Sequence, residues 1–292
     1  MKKTKGEKIF AVFNIFIMIL LLCVTLYPML HVVFGSISDP KRLLAHSGAI
    51  LYPLGIDLNA YAVVFSSKNI FTGYFNTIFY TVAGSALSMM LTVLGAYALA
   101  RKGVMLGKYI MLGVVFTMFF SGGMIPSYLL VKDLGLLDTR AAIIVPTAIS
   151  TWNLIVLRTA FKGVPENLFE SAALDGANDF IIMFRIALPL VMSTIAVIIL
   201  FYGVERWNEW FSASIYLRNR SKYPLQLFLR EILIASQVNE TVKSSPLSLD
   251  TDLYRESIKY ATILVSILPI LCVYPFLQKY FVHGVMIGAV KG

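Results

Sequence analysis

Six stretches free of Asp, Glu, Lys and Arg punctuate this chain, and their length limits the folds open to it more than any other feature. They run from Ile9 to Ser38, Asn69 to Ala100, Tyr109 to Val131, Ala141 to Leu157, Ile186 to Val204, and from residue 260 to 278. A helix crosses the hydrocarbon core of a bilayer with about 17–25 apolar residues, and each stretch is near or above that length. Charged residues make up only 14% of the chain, against about 25% in an ordinary soluble domain. Too few charges remain to give a soluble protein of 292 residues a solvated surface, which excludes an ordinary cytosolic enzyme, a disordered tail protein and a secreted disulfide scaffold. The expected fold class is therefore all-α: an integral membrane protein whose solvent is largely lipid, with about six transmembrane helices. A single domain over residues 1–292 is expected, with spans near 9–34, 71–100, 109–131, 141–157, 186–204 and 260–278. The fourth is the shortest, 17 residues with Pro146 inside it, so a re-entrant segment is its alternative.

Charge placement orients the spans. Lys2, Lys3, Lys5 and Lys8 precede the first apolar run, which is too long for a signal sequence and is followed by no small-residue cleavage site, so it reads as a retained helix. Six spans put both termini on one side. With the N-terminus inside, the inner segments hold Lys2, Lys3, Lys5, Lys8, Arg101, Lys102, Lys108, Arg158, Lys162, Arg185, Lys279 and Lys291, twelve in all. The two shorter outer segments hold Lys41, Arg42, Lys68, Lys132 and Arg140, five in all. Basic residues concentrate on the cytoplasmic side, so both termini are expected there. Residues 39–68 and 205–259 then form outer segments and 158–185 an inner loop. The centre of the long outer segment, Gln237 to Asp252, is rich in Ser, Thr and Asn and reads as loop.

Several chemistries have no residues to carry them. Gly103 and Gly107-Lys108 have the wrong spacing for a phosphate loop and lack the Ser or Thr that follows its lysine. No metal-ligand pair, nucleophile elbow or nucleic-acid module is present, and no cofactor is implied. Cys23 and Cys272 each sit in an apolar run and read as packing residues. The span cores lack Asp, Glu, Lys and Arg, whereas ion-coupled carriers place such groups in the membrane. His31, near Pro28, reads as a hydrogen-bonded histidine rather than a proton relay.

The inner loop is the most patterned stretch. Pro165 suits the first position of a helix and Glu166 its positive dipole end. Leu168, Phe169, Ala172, Ala173 and Gly176 recur at helical spacing and form one face with small residues at its centre. Glu170 and Asp175 lie on other faces. Gly176 can end the helix in a left-handed cap, and Asn178 or Asp179 can start the next. Such a helix is either a docking knob or a membrane-surface helix packed under its own bundle.

At these residues the chain resembles a known family. Glu170-Ser171-Ala172-Ala173-Leu174-Asp175-Gly176, then nine residues, then Ile186-Ala187-Leu188-Pro189, is similar to the cytoplasmic loop signature of binding-protein-dependent ABC importer permeases. The one departure is Ser171 where the family carries alanine. Trp207-Asn208-Glu209-Trp210-Phe211, Tyr223-Pro224-Leu225-Gln226-Leu227 and the ending Gly284 to Gly292 resemble the carbohydrate, maltose-permease-like branch. Phe120 to Pro126 and the long outer segments resemble a subgroup associated with oligosaccharides or polysaccharide fragments.

The resemblance implies a multi-pass permease subunit in a bacterial plasma membrane, not an enzyme. It implies a second related permease, two ATP-binding cassette subunits, an extracytoplasmic solute-binding protein and a sugar substrate, worked by alternating access. It makes Pro165–Gly176 the coupling helix. Leu168, Phe169, Ala172 and Ala173 would fill a groove on the ATP-binding subunit, Glu170 and Asp175 would bond at its edges, and Gly176, Ile186, Leu188 and Pro189 would complete the signature. Trp207, Asn208 and Trp210 are candidates for the substrate path; the tryptophans also suit a lipid interface. A permease for a non-sugar solute is the alternative reading, and a secondary transporter a more distant one.

Overall fold

The computed structural model describes the backbone of residues 4–241 and 249–289, and the side chains of 4–234, 254–273 and 275. Among the described residues every regular element is helical. The chain divides into two units: residues 1–68 with 229–268, and residues 69–228 with 269–292.

The first unit opens with α1 (Lys5–Ile37), which contains the expected first span. A capping box starts it: Glu7 N–H donates to the Thr4 hydroxyl and Thr4 N–H to the Glu7 carboxylate. Near its end, His31 lies between two phenols, Nδ1 3.2 Å from the Tyr27 hydroxyl and Nε2 3.2 Å from that of Tyr260. One turn on, a Cβ on Gly35 would fall 2.6 Å from the Tyr260 ring, so only glycine admits that ring. Two short helices follow, α2 (Pro40–Ala45), capped by Asp39, and α3 (Asn59–Ser66). They are tied back to α1 where Leu54 N–H donates to Ser38 Oγ at 2.9 Å and where the Tyr61 and Ser36 hydroxyls meet at 2.7 Å.

The second unit is organised along α4 (Lys68–Ala100), which contains the second expected span as one unbroken helix of 33 residues. Its buried face repeats every fourth residue, through Tyr80, Gly84, Ser88, Thr92 and Ala96. Small residues in such a stripe let neighbouring backbones come close. The remaining elements are α5 (Gly107–Phe119), α6 (Met124–Asp133), α7 (Ala141–Ile144), α8 (Thr151–Lys162), α9 (Glu166–Leu174), α10 (Asp179–Ile182), a π turn (Met183–Ala187), α11 (Leu188–Leu190), α12 (Met192–Trp207), α13 (Phe211–Tyr216) and a short 3-10 turn (Arg220–Lys222). The last two helices, α14 (Leu225–Thr241) and α15 (Leu249–Ala289), divide their residues between the units.

Three of the six expected spans are not single helices. The third breaks at Phe120–Gly123, where Gly123 takes φ +86°, and α5 and α6 meet at 115°. The fourth breaks between Ile144 and Thr151, because Pro146 has no N–H to continue the ladder. The fifth bends by 86° at Val191, just after Pro189. Periodicity and charge could not show these breaks, since every residue in them is uncharged. By length and composition three helices can cross a membrane, or up to five if each bent pair is one span. One other expectation changes. Gln237–Thr241 and Leu249–Asp252 are helical rather than loop, with residues 242–248 outside the described part. Gly284 to Ala289 belong to α15.

The break in the fourth span is held by two residues of α12, four apart. Arg206 is buried and aims its guanidinium at carbonyls of α7 and of the break that follows it: Nη1 donates to Ile143 O at 2.7 Å, and Nη2 to Thr147 O at 2.6 Å and Ile144 O at 3.3 Å. It also reaches the Thr147 and Ser88 hydroxyls at 2.5 and 3.3 Å. Gly84 makes room, for a Cβ there would lie 3.1 Å from Arg206 Nε. Tyr202 serves the other side: its hydroxyl accepts Ser150 N–H at 3.1 Å and bonds Thr92 at 2.7 Å. Ser150 in turn caps α8.

Arg206→Met strands these carbonyls in a dry interior. At about 1–3 kcal/mol for each unsatisfied acceptor, the expected destabilisation is on the order of 3 kcal/mol or more. The denaturation midpoint of the detergent-purified chain should fall accordingly, and Arg206→Lys should recover only part of it, because an ammonium cannot match the fork.

Candidate coupling surface and outer clasp

The expected helix over Pro165–Gly176 forms as α9, with Pro165 as its N-terminal cap and Gly176 at φ +82° just beyond its end. A left-handed residue there ends the helix as the glycine foretold: Gly176 N–H donates to Ala173 O at 3.0 Å and Ala177 N–H to Ala172 O at 2.9 Å. Asn178 caps α10, its carboxamide oxygen accepting Ile181 N–H at 2.9 Å.

The two faces of α9 are not alike. Phe169 and Ala172, three residues apart, are buried in the core that also holds Tyr97, Phe161, Ile182 and Met183. The Phe169 ring meets Tyr97 edge-on at 6.5 Å. These two side chains were expected to fill a partner's groove; instead they fasten α9 to its own bundle. Leu168, Glu170, Ser171, Ala173, Leu174, Asp175 and Gly176 are exposed, Leu174 at 89%. Phe180 and Phe184 extend the same kind of surface at 65% and 60% exposure. Sequence reasoning passed over Leu174, Phe180 and Phe184, which stand at the end of α9, in α10 and in the π turn. Of the remaining signature residues, Ile186 and Leu188 are half-buried against that core and Pro189 is exposed in α11.

Arg101, at the end of α4, fixes this arrangement. Its guanidinium lies 4.7 Å above the Phe169 ring and within 3.9 Å of Glu166 and 3.8 Å of Asp179. Lys102 adds a second contact to Glu166 at 3.6 Å. One arginine thus touches the first turns of both α9 and α10. Exposed ion pairs contribute little each; here the same cation also stacks on a buried ring.

The candidates for the substrate path lie at the far end of α12, about 24 Å long at 1.5 Å per residue. Trp207 is buried and meets Tyr74 edge-on at 6.4 Å. Asn208 turns its carboxamide back to Val204 O at 2.8 Å, closing its own helix. Trp210 is half-buried beside a second core of Tyr80, Val131, Ile143 and Tyr216. The three are neighbours in sequence, and the buried Trp207 ring is committed to packing rather than to solvent.

Beside them, a clasp joins α4 to the loop before α14. Asn76 donates to Ser221 O at 2.8 Å and Tyr223 O at 3.1 Å, and Tyr80 to Lys222 O at 2.7 Å. Leu225 N–H donates to the Thr77 hydroxyl at 2.8 Å. Asp138, at φ +54°, receives Asn219 and Arg218 N–H at 3.0 and 3.1 Å and Lys222 Nζ at 3.0 Å. Those backbone donors, then the lysine, hold its carboxyl down to about 2. No group of three or more His, Cys, Asp or Glu that could hold a metal occurs among the described residues.

A helix bundle with broken crossings and an exposed signature helix can be compared with known proteins. Residues 7–287 match the model of the binding-protein-dependent transport system inner membrane component family. The chain belongs to that family. It is 42% identical over 286 residues to a Bacillus subtilis polygalacturonan/rhamnogalacturonan transport system permease protein, YtcP, covering 96% of this chain and 97% of that one. Among solved structures it is similar, at 33% identity and TM-score 0.87, to a chain of a bacterial ABC transporter involved in the import of the acidic polysaccharide alginate; the match covers 96% of this chain and 99% of that one. A bacterial alginate ABC transporter chain, crystallised in complex with an alginate pentasaccharide-bound periplasmic protein, shares the fold alone at 15% identity and TM-score 0.55, over 94% of this chain and 96% of that one. This chain is accordingly a membrane-embedded transport component.

Two outcomes are expected. Phe169→Ala should cost about 3 kcal/mol or more of bundle stability, whereas Leu174→Ala should leave the denaturation midpoint within about 0.5 kcal/mol of the parent. For Asp138 the lowered value fixes the sign: its contribution is complete above the ordinary carboxylate range near 4 and is lost as pH falls through about 2. The difference in stability between the parent chain and Asp138→Asn should be constant near neutrality and shrink over that acid interval.

Proposed function

We propose that this chain is one permease half of an ATP-driven importer that passes oligosaccharides inward, and that α9 is its coupling helix. The observation that carries the coupling role is the division of α9 into a face clamped on its own bundle and a free face of Leu168, Glu170, Ala173, Leu174 and Asp175. A helix fastened on one side can transmit a push only if the other side is held by a partner. The partners are two ATP-binding subunits, a second related permease, and a solute-binding protein on the outer side. The similar proteins named for pectic fragments and alginate support a carbohydrate, and among carbohydrates an oligosaccharide.

Six crossings with both termini inside fit the charge distribution. The long helices α1, α4 and the Tyr254–Val273 part of α15 give three, the bent pairs two more, and α7 with α8 the sixth. Residues 205–259 then lie outside and Pro165–Gly176 inside. Trp207 is buried and packs within the bundle, so it shapes the outer end of the path, while the exposed Asn208 and the half-buried Trp210 are the better candidates for meeting sugar.

Leu174→Asp and Gly176→Val test the coupling role. No neighbour stands within 4 Å of a Cβ at Gly176, so valine there suffers mainly from the left-handed backbone, about 1 kcal/mol or more. Both variants should reach the membrane at normal level, yet lose co-purification of the ATP-binding subunit or hydrolyse ATP without uptake of labelled oligogalacturonides. Normal co-purification with normal uptake in both would remove the coupling role.

A further inference from the structure

Between the α4–α5 turn and α8 lies an open groove of about 780 Å³, formed wholly within the second unit. Its rim carries five cations, Arg101, Lys102, Lys108, Arg158 and Lys162, and one carboxylate, Glu166. That carboxylate is already shared by Arg101 and Lys102. Arg158 donates through Nε to Leu99 O at 2.9 Å, which holds the side chain at the rim. Lys108 and Lys162 have no acidic partner among the described residues. The electrostatic requirement of the rim is therefore unmet from within the unit.

The wall below the rim is of the opposite character. Met111, Leu112 and Val115 line it, and with Lys108 they fall at i, i+3, i+4 and i+7 on α5. That stripe leads from the cation along the helix for about 10 Å at 1.5 Å per residue. On α8, Arg158, Phe161 and Lys162 repeat the pattern of cations flanking an apolar ring. A cluster of cations at the end of an apolar wall, at the edge of two membrane-crossing segments, fits a molecule with an anionic head and a hydrocarbon tail. A soluble phosphate would use the rim and leave the wall idle.

We propose that this groove is a binding site for an anionic glycerophospholipid, its phosphate at Lys108, Arg158 and Lys162 and an acyl chain along Met111, Leu112 and Val115. Basic recesses between transmembrane helices are suited to such head groups, and each lysine near an anionic lipid contributes about fivefold in affinity. Glu166 and Phe169, which belong to α9 or its first turn, also line the groove. A bound lipid would consequently rest against the helix that the family signature marks.

The test uses the full-length chain purified in micelles containing equal parts phosphatidylglycerol and phosphatidylcholine, with retained lipid counted by mass spectrometry after exchange into lipid-free detergent. The parent should retain phosphatidylglycerol selectively. Lys108→Gln with Lys162→Gln should reduce that retention by about thirtyfold relative to phosphatidylcholine, while Lys132→Gln, away from the groove, should change nothing. Leu112→Gln should lower retention with all cations in place. Glycerol phosphate added to the parent should fail to displace the lipid. Equal retention of the two lipids by the parent would overturn the proposal, as would unchanged selectivity in the double lysine variant or ready displacement by glycerol phosphate. The displacement arm uses no variant, so it stands even if a substituted chain folds poorly.

Discussion

A backbone that breaks inside an apolar bundle leaves carbonyls and amides with no water to turn to, and the second unit is arranged around meeting that need at one place. Between Ile144 and Thr151 the chain stops being a helix. Arg206 supplies the missing donors and Tyr202 the missing acceptor, both from α12, one turn apart. Their presence dictates what α4 can carry opposite them: Gly84 for space, Ser88 for a bond to the guanidinium, Thr92 for a bond to the phenol. The four-residue repeat of small groups on α4 thus follows from a polar requirement, with close helix packing as its result. A buried cation that binds only neutral oxygens retains its charge without an acid in contact, which explains how so apolar a bundle can contain it.

The end of the unit that carries α9 is governed by a different balance. Phe169 and Ala172 give α9 its hold on the core, and Arg101 places a cation over the same ring while touching acids on α9 and α10. The aromatic contact resists withdrawal of the helix and the ion pairs resist its rotation. What remains outside is a band of Leu174, Phe180 and Phe184 among acids and small residues.

The amino-acid sequence made some of this legible and concealed the rest for physical reasons. The helices α1 and α4 were evident because charge is confined to their ends and the apolar run between is long enough for a span. Gly176 was readable as a left-handed cap because only glycine occupies that backbone region without penalty. Pro146 marked the fourth span as the exceptional one, whereas the breaks at Phe120–Gly123 and Val191 were hidden because hydropathy sums side chains and does not register a turn of the backbone. Arg206 was overlooked because it stands two residues past the last charge-free position of its span, where charge normally signals water. The faces of α9 were misassigned because a period of 3.6 shows which residues share a side but not which side turns inward; Phe169 and Ala172 form the buried one. Trp207 and Asn208 were conspicuous as an aromatic and a polar group together, a pairing that here closes a helix end. The spacing of the family signature fits a helix, a glycine turn and a following helix, and this chain builds all three.

The π turn at Met183–Ala187, between the signature helix and α12, bears on how such chains can diverge. A π turn takes up one residue more than the α-helical turn it replaces. Elsewhere in a span, losing a residue rotates everything beyond it by about 100° and would carry Arg206 and Tyr202 off the break they serve. At Met183–Ala187 the same deletion can be absorbed by tightening the turn to ordinary α geometry, leaving α12 in register with α4. This five-residue segment can accordingly give up one residue and leave α12 facing α4, although the nine-residue spacing between Gly176 and Ile186 would then shorten by one.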